Sequence, residues 1–196
     1  LIANPAFPAK TVGEAIEAIR GNPGKFNYAS VGSGSPHHLF MEALKAELGL
    51  SIQHVPYKGT QAAIPDLLTG GVQMMFADAT VAVPNIQAGK VTPLGTSSAK
   101  PTTLVPGVPP IAATVKGFDW EAWQGIVAPA ATPPAIVAKL AAELQRIQST
   151  PEFREQLRKF GMESAPPHTP AEFAAIVAAE QPRWQKAVKD SGAKVD

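Results

Sequence analysis

Residues 30–38 combine small side chains with two histidines, and their types and spacing could hold an anion. They read Ser-Val-Gly-Ser-Gly-Ser-Pro-His-His and stand between a segment of strand type and a segment of helical period. The first-turn amides of a helix lack intrahelical acceptors and carry the positive end of the helix dipole, while glycine lets a ligand approach the backbone. The segment therefore predicts a strand-to-helix turn, here called the anion turn, that binds an anion through backbone N–H groups and serine hydroxyls.

Other chemistries of a glycine-rich turn fit this segment less well. A dinucleotide-binding turn would carry glycine where His37 stands, and a P-loop would need a Gly-Lys-Ser/Thr sequence that is missing. A nucleophile elbow needs Gly-x-Ser-x-Gly, and neither Ser33 nor Ser35 has that frame. A serine-dependent α/β hydrolase-like enzyme stays open as an alternative, because a histidine base can come from a distant part of the chain. The simplest alternative is a flexible turn with Ser35 as a helix cap.

The four histidines do not form a metal motif in the sequence. His37 and His38 are neighbours on a predicted helix, so their side chains point about 100° apart and cannot easily chelate one ion. His54 and His168 could join them only through the fold. We expect no metal and no cofactor, and we expect His38 to buttress the turn.

A second set of candidate groups follows another predicted strand. Residues 72–77 are nearly all apolar, as expected of a strand buried on both faces, and Asp78 and Thr80 lie just past its end. Open α/β sheets bind ligands at the carboxyl ends of their strands, although Asp78 could instead act only as a helix cap. The loop at residues 57–60 would bring Lys58 and a further helix N-terminus to the same edge, unless that lysine is merely solvated.

Segments of strand type alternate with segments of helical period, which predicts an α/β fold with a parallel or mixed sheet. The proline-rich run at residues 100–110 predicts a loop. The predicted strands are residues 25–31, 52–56, 72–77, 91–97 and 121–128. The predicted helices begin near residues 11, 36, 61, 80, 132, 151 and 170.

Composition narrows the classes of function. The 17 Lys and Arg residues are interspersed with 16 acidic ones, so no basic stripe exists to bind a nucleic acid. The absence of cysteine excludes disulfides, thiolate metal sites and a cysteine nucleophile. No run of about 18 apolar residues suggests a membrane span. Residues 1–10 hold two prolines and no basic leader, so they do not read as a signal peptide.

Residues 26–39, which contain the anion turn, strongly resemble the Bug family, the substrate-binding proteins of tripartite tricarboxylate transporters. Further blocks follow in family order: His-Val-Pro-Tyr-Lys-Gly at 54–59, Asp-Leu-Leu-Thr-Gly-Gly-Val-Gln at 66–73, Met-Phe-Ala-Asp at 75–78 and Gly-Ile-Val-Ala-Pro at 125–129. The resemblance covers essentially the entire chain. It implies a Venus-flytrap, type II-like periplasmic-binding-protein fold.

The resemblance also implies a function and a site. It implies a periplasmic receptor, not an enzyme, that captures a small carboxylate for the membrane components of a transporter; the carboxylate would be a dicarboxylate, an aromatic acid or an amino acid. In the family, backbone amides and waters from two strand-to-helix loops hold the ligand. Carried over to this chain, the ligand-binding residues are Ser30, Gly32, Ser33, Gly34, Ser35 and His38, with Asp78 and Ala79 on the adjacent loop.

Compared with the family, a signal peptide and about a third of the mature chain would precede residue 1. We therefore expect residues 5–118 to form a largely complete domain two. Residues 1–4 and 119–196 would supply only the crossing strand and the C-terminal helical portion of domain one. The apolar stripe at residues 136–147 predicts exposed helix faces unless another chain covers them, so a homo-oligomer of this chain is one expectation. A partner-binding or sensor fragment that needs no ligand stays open as an alternative.

Overall fold

A computed structural model of the chain describes residues 1–193. These residues fall into two compact units: unit 1 is Leu1–Ala122 with the described part of Ala187–Asp196, and unit 2 is Trp123–Lys186. Residues 194–196, which belong to the predicted C-terminal portion, lie outside the described residues. None of the helices in residues 1–193 has both the length and the apolar character needed to cross a membrane.

Unit 1 is built on a mixed five-stranded sheet with the strand order β3-β2-β4-β1-β5. The strands are β1 (Ile2–Ala3), β2 (Asn27–Ser30), β3 (Gln53–Pro56), β4 (Met74–Met75) and β5 (Thr92–Pro93). β2 pairs in parallel with β3 and β4, whereas β1 runs antiparallel to β4 and β5. Residues 1–4, which the resemblance groups with residues 119–196, therefore lie within the sheet of unit 1.

Helices connect the parallel strands of unit 1, which makes it an α/β structure as predicted. The α1 helix begins where expected, because the Thr11 hydroxyl accepts the N–H of Glu14 at 3.2 Å. The α2 helix ends at Gly49, whose φ of +63° lies in the left-handed region that favours glycine. The helices of this unit are α1 (Val12–Arg20), α2 (Pro36–Leu48), α3 (Thr60–Thr69) and α4 (Ala79–Gln87).

The central strands of unit 1 are buried on both faces. Tyr28 and Ala29 of β2 and both residues of β4 are almost inaccessible to solvent. Burial of adjacent residues on both faces explains why residues 72–77, which contain β4, read as a nearly continuous apolar run rather than as an alternating one. The apolar residues Ala63, Leu67 and Val72 complete a cluster against the sheet. Close packing around β2 and β4 therefore fixes the positions of the ends of these strands.

Two strand predictions are corrected by the structure. Residues 121–128 form no strand, and Ile126 and Val127 are 72% and 82% exposed. An extended segment becomes a strand only when a neighbour accepts its backbone hydrogen bonds, and none of the described residues pairs with this one. The predicted strand at residues 91–97 shortens to β5, although the N–H of Leu94 still bonds to the carbonyl of Leu1 beside the paired residues. The run at residues 100–110 contains no helix or strand, as predicted.

The helical region contains α5 (Pro134–Gln148), α6 (Pro151–Lys159) and α7 (Pro170–Ser191), and α7 continues from unit 2 into the residues assigned to unit 1. None of these three helices contains a buried residue. The apolar stripe is open to solvent, since Ile136, Leu140 and Ile147 are all exposed. The predicted exposure of apolar helix faces is confirmed.

Gly125 allows a close contact inside unit 2. A Cβ atom at this position would overlap Cζ of Phe173, whose ring packs edge to face on Trp123 at a centroid distance of 5.6 Å. We predict that Gly125→Ala displaces the Phe173 ring and destabilises unit 2 by about 1–3 kcal/mol. Thermal unfolding measures the loss. Gly13→Ala is the matched control, because its Cβ would have its nearest neighbour at 3.8 Å. An unchanged melting temperature for Gly125→Ala would contradict the prediction.

Candidate functional site

Three helix N-termini meet at one edge of the sheet in unit 1. The strands β2, β3 and β4 run parallel to one another, and α2, α3 and α4 follow them directly. Parallel strands end at the same edge, so the turns at residues 30–38, 57–60 and 78–80 lie there together. The structure thus brings the anion turn beside the loop that carries Asp78 and Ala79.

The backbone of the anion turn needs glycine at two positions. Gly32 and Gly34 have φ values of +132° and +78°, which side chains with a Cβ rarely adopt. Ser35 caps α2, because its hydroxyl accepts the N–H of His38 at 3.4 Å and donates to the Gly32 carbonyl at 2.7 Å. Pro36 follows at the start of the helix, where its missing N–H costs no helical bond.

Some amides of the anion turn are bonded inward and others are free. The N–H of Gly32 donates to the Ser30 hydroxyl at 3.1 Å, and the N–H of Gly34 donates to Nδ1 of His38 at 3.1 Å. The N–H groups of Val31, Ser33 and His37 have no hydrogen-bond partner within residues 1–193. The turn therefore presents unsatisfied donors at the positive end of a helix, as an anion site requires.

The start of α4 adds a second group of free amides. Asp78 stands at the N-cap position, but its side chain makes no capping hydrogen bond. The N–H groups of Ala79 and Thr80 have no partner in the described part of the chain. Asp78 is therefore the N-cap residue of α4 by position but does not cap it through its side chain, and the first amides of α4 stay available to a ligand.

The side chain of Asp78 is directed at the anion turn instead. Its Oδ1 lies 3.5 Å from Nε2 of His37, and the hydrogen bond from His37 holds the pKa of Asp78 below its usual range. The other ring nitrogen of His37 is buried and has no hydrogen-bond partner among residues 1–193. This contact ties the N-terminus of α2 to that of α4 and partly offsets the negative charge of Asp78 beside the free amides.

His54 joins the site from β3, although its sequence position did not indicate this. Nε2 of His54 lies 2.6 Å from the Ser30 hydroxyl, and its ring stacks on that of His38 with centroids 4.0 Å apart. In the parallel register His54 faces Tyr28, and Tyr28 and Ser30 lie two residues apart on one face of β2. Only the pairing of β2 with β3 brings these side chains together.

Two charged residues of α2, Glu42 and Lys45, lie near the stacked histidines. The carboxylate of Glu42 accepts hydrogen bonds from the Tyr28 hydroxyl and from Nζ of Lys45, the latter at 2.6 Å. Burial, and secondarily Glu42, raises the pKa of Tyr28. Burial also lowers the pKa of His38, and burial together with the neighbouring His38 lowers the pKa of His54 to about 4. Both histidines are therefore neutral at pH 7.

Several other predicted groups remain apart from this arrangement. Lys58 is exposed at the loop before α3. His168 lies in unit 2, and no set of three or more ligand-type side chains suited to a metal ion occurs within residues 1–193. Neither Ser33 nor Ser35 donates its hydroxyl to a histidine nitrogen, and Ser30, which does contact His54, is 0% exposed.

Comparison with known proteins gives a consistent group of relatives. The model of the family described as the tripartite tricarboxylate transporter family receptor matches residues 1–193. The UPF0065 protein in the tcbD-tcbE intergenic region of Pseudomonas sp. strain P51 is 35% identical over 181 residues, which cover 91% of this chain and 54% of that protein. The chain thus spans about half the length of this curated relative.

Two solved structures resemble the chain over nearly its whole length. Rpa4515 of R. palustris with adipate matches with a TM-score of 0.84 and 30% identity, covering 98% of this chain and 65% of that one. The periplasmic binding protein BugD matches with a TM-score of 0.81 and 32% identity, again over 98% and 65% of the two chains.

Proposed function

Because the chain belongs to the tripartite tricarboxylate transporter receptor family, we propose that the protein carrying it is an extracytoplasmic receptor that captures a small carboxylate. The resemblance to the Bug family is confirmed, and so is the periplasmic-binding-protein fold. One observation on this chain carries the proposed ligand class: two neighbouring helix N-termini present free amides at one edge of a sheet. Such amides suit a carboxylate, which accepts hydrogen bonds through both oxygens.

The predicted site residues divide into two proposed roles. We assign direct contact to free amides, which among the predicted residues are those of Ser33 and Ala79. We assign a shaping role to residues whose polar groups are already bonded within the turn or whose backbone bends it; these are Ser30, Gly32, Gly34, Ser35 and His38. Asp78 acts through its contact with His37. The free amides of Val31, His37 and Thr80 extend the set of direct contacts.

The ligand we favour is a dicarboxylate, ahead of an aromatic acid or an amino acid. Adipate, the molecule named with the Rpa4515 structure, is a dicarboxylate. The anion turn would hold one carboxylate through amides that gain strength because the acceptor is charged. Contacts made by backbone amides leave the rest of the ligand to other surfaces, so related receptors can differ in ligand.

Binding without turnover is the activity that we propose. The relatives of this chain are solute-binding receptors. A serine-dependent hydrolase would need an accessible hydroxyl beside a histidine base. Ser30 has such a histidine contact, and burial keeps a substrate away from its hydroxyl.

We propose that the receptor works in the periplasm with the membrane components of a tripartite tricarboxylate transporter. Residues 5–118 would then be the domain that carries the anion turn, with residues 1–4 in its sheet, and residues 119–196 would contribute to the other domain. A homo-oligomer formed through the exposed apolar faces of unit 2 stays a prediction.

Titration calorimetry and thermal shift on the full-length protein test the proposed function. We expect heat and a raised melting temperature with one class from a panel of dicarboxylates, aromatic acids and amino acids. At a ligand concentration of 100 times Kd, the stabilisation should be about 2.7 kcal/mol. No heat with any compound would refute the receptor. A covalent adduct of Ser33 or Ser35 with a serine-directed phosphonate would favour the hydrolase instead.

A further inference from the structure

The hydrogen bonds around the Gly32 carbonyl limit which donors and acceptors can pair within the anion turn. This oxygen lies within hydrogen-bond distance of three donors: the Ser35 hydroxyl at 2.7 Å, the Ser35 N–H at 3.2 Å and the Ser30 hydroxyl at 3.0 Å. A carbonyl oxygen has two lone pairs, so Ser35 alone fills it. The Ser30 proton is best placed on another acceptor.

His54 offers that acceptor. Its Nε2 is 2.6 Å from the Ser30 oxygen, closer than the Gly32 carbonyl. When Ser30 donates to an unprotonated Nε2, its oxygen stays free to accept the N–H of Gly32 at 3.1 Å, and every group is satisfied. A proton on Nε2 would turn the Ser30 hydroxyl to the Gly32 carbonyl, where it competes with the hydroxyl that caps α2.

His38 places the same demand on the other half of the turn. Its Nδ1 accepts the N–H of Gly34 at 3.1 Å, so this nitrogen must carry no proton and the neutral ring carries its proton on Nε2. That Nε2 faces Oε1 of Glu42 at 3.9 Å. Protonation of Nδ1 would set two N–H donors against each other and release the Gly34 amide.

The surroundings of the pair favour two neutral rings. The imidazoles stack with their planes 21° apart, so a charge on one disfavours a charge on the other. Tyr28 stacks on His54 from β2 at 5.0 Å. From α2, Glu42 attracts a proton to the pair and Lys45, which is bonded to Glu42, repels it. Burial acts in the same direction as Lys45.

We propose that His54 and His38 are positioning residues for anion binding, which hold the two glycine amides of the anion turn in place through unprotonated imidazole nitrogens. The proposal rests on the proposed function, because it names residues that orient the anion site without touching the anion. His54 fixes Gly32 through Ser30, and His38 fixes Gly34 directly. Between these fixed amides lies the free amide of Ser33.

Because the proposed hydrogen bonds need unprotonated imidazole nitrogens, anion binding should weaken in acid. Burial lowers the pKa of His38, and burial together with the neighbouring His38 lowers the pKa of His54 to about 4. A depressed pKa in the formed turn means that the opened turn binds protons more tightly, at the ordinary histidine pKa near 6.5. The ordered turn is therefore fully favoured above about pH 6.5 and loses support as the pH falls toward 4.

Paired substitutions in the full-length protein separate the acceptor role from simple packing. His38→Asn and His54→Gln can each keep an acceptor near the original nitrogen but cannot titrate in this range, whereas His38→Leu and His54→Leu remove it. With the dicarboxylate that gives heat in the panel, we expect at least tenfold weaker binding in the Leu variants and recovery of most of that loss in the amide variants. His168→Asn in unit 2 is the control.

The pH profile supplies a readout that packing alone would not change. Between pH 7 and pH 4.5, affinity should fall more steeply for the wild type than for the amide double variant, and protonation of the dicarboxylate itself affects both equally. Superimposable profiles, or amide variants that fold normally but bind as weakly as the Leu variants, would overturn the proposal.

A measurement without ligand keeps the proposal separate from the receptor hypothesis. Long-range ¹H–¹⁵N spectra of the wild-type protein at pH 7 should show the His38 proton on Nε2 and an unprotonated Nε2 on His54. The Gly34 amide resonance should shift in His38→Leu and return toward its wild-type position in His38→Asn. A proton on Nδ1 of His38 would refute the hydrogen bond from the Gly34 amide to that nitrogen, and with it the proposal. If no compound in the panel binds but these tautomers are observed, the receptor function is refuted and the hydrogen-bond pattern of the two histidines is confirmed.

Discussion

Replacing Ala79 by proline is expected to weaken carboxylate binding by tenfold or more while leaving the fold at least as stable. Ala79 is the first residue of α4, and its N–H has no partner in the described chain. Proline is favoured at this position because its φ suits a helix start and its missing N–H breaks no helical bond. The preceding Asp78 already has φ −63° and ψ 149°, the extended conformation that a following proline requires.

The size of the effect follows from the charge on the ligand. A hydrogen bond from an amide to a charged acceptor contributes about 1.5–3 kcal/mol, which corresponds to roughly 10- to 150-fold in Kd. The change deletes that one donor and shortens no helix. Loss of conformational freedom in the unfolded chain should raise stability by up to about 1 kcal/mol.

Calorimetry on the full-length protein with the bound dicarboxylate measures the loss, and thermal unfolding without ligand checks the fold. Ala79→Ser is the matched control, because it keeps the backbone N–H and adds only a hydroxyl. If the proline and serine variants bind the dicarboxylate equally well, the first amide of α4 does not contact the ligand. A proline variant with a much lower melting temperature would show that α4 starts differently.

Gly95→Val is expected to cost more stability than any other substitution considered for this chain. Gly95 is buried just after β5. A Cβ atom there would lie 2.8 Å from Cγ1 of Ile111, 3.0 Å from Cγ2 of Val12 and 3.2 Å from the carbonyl oxygen of Pro109. Ile111 and Val12 are themselves buried, and the carbonyl belongs to the backbone, so none of the three can move away freely.

The alanine variant sets the scale for this position. Gly95→Ala should destabilise unit 1 by about 1–3 kcal/mol, and the two further methyl groups of valine should cost more. Denaturant unfolding gives both values. The double variant Gly95→Ala with Ile111→Ala should lose less than the sum of the single changes, because removing Cγ1 of Ile111 relieves the shortest contact. A Gly95→Ala change within about 0.5 kcal/mol of wild type would contradict the packing described here.

Local rules explain which parts of unit 1 could be predicted. Thr11 and Ser35 cap α1 and α2 as expected, because a capping hydroxyl needs only an amide three residues later in the chain. The glycine turn after β2 follows from similarly short-range preferences. His38 was expected to buttress that turn, and its bond to the Gly34 amide spans four residues.

Predictions that depend on distant partners were less successful. Residues 121–128 have strand-forming side chains, yet no described segment supplies the backbone partners that a strand needs. The short β1 was missed as a sheet element for the opposite reason, since its two residues form a strand only through pairing with β4 and β5. The same limit applies to Asp78, whose side chain bonds to His37 instead of capping the helix that it precedes.

By itself, the sequence determined the α/β alternation, the family and the glycine-serine turn before α2, because these depend on periodicity, on ordered motifs and on neighbours within a few residues. The tertiary structure alone decided that α4 presents its first amides beside that turn and that His54 bonds to Ser30. The strand register sets both facts, and register depends on free energies summed over many distant contacts rather than on any local pattern. The anion turn could therefore be predicted from the sequence. The contact between His38 and His54, the histidines that we propose to position this turn, forms only when the sheet folds.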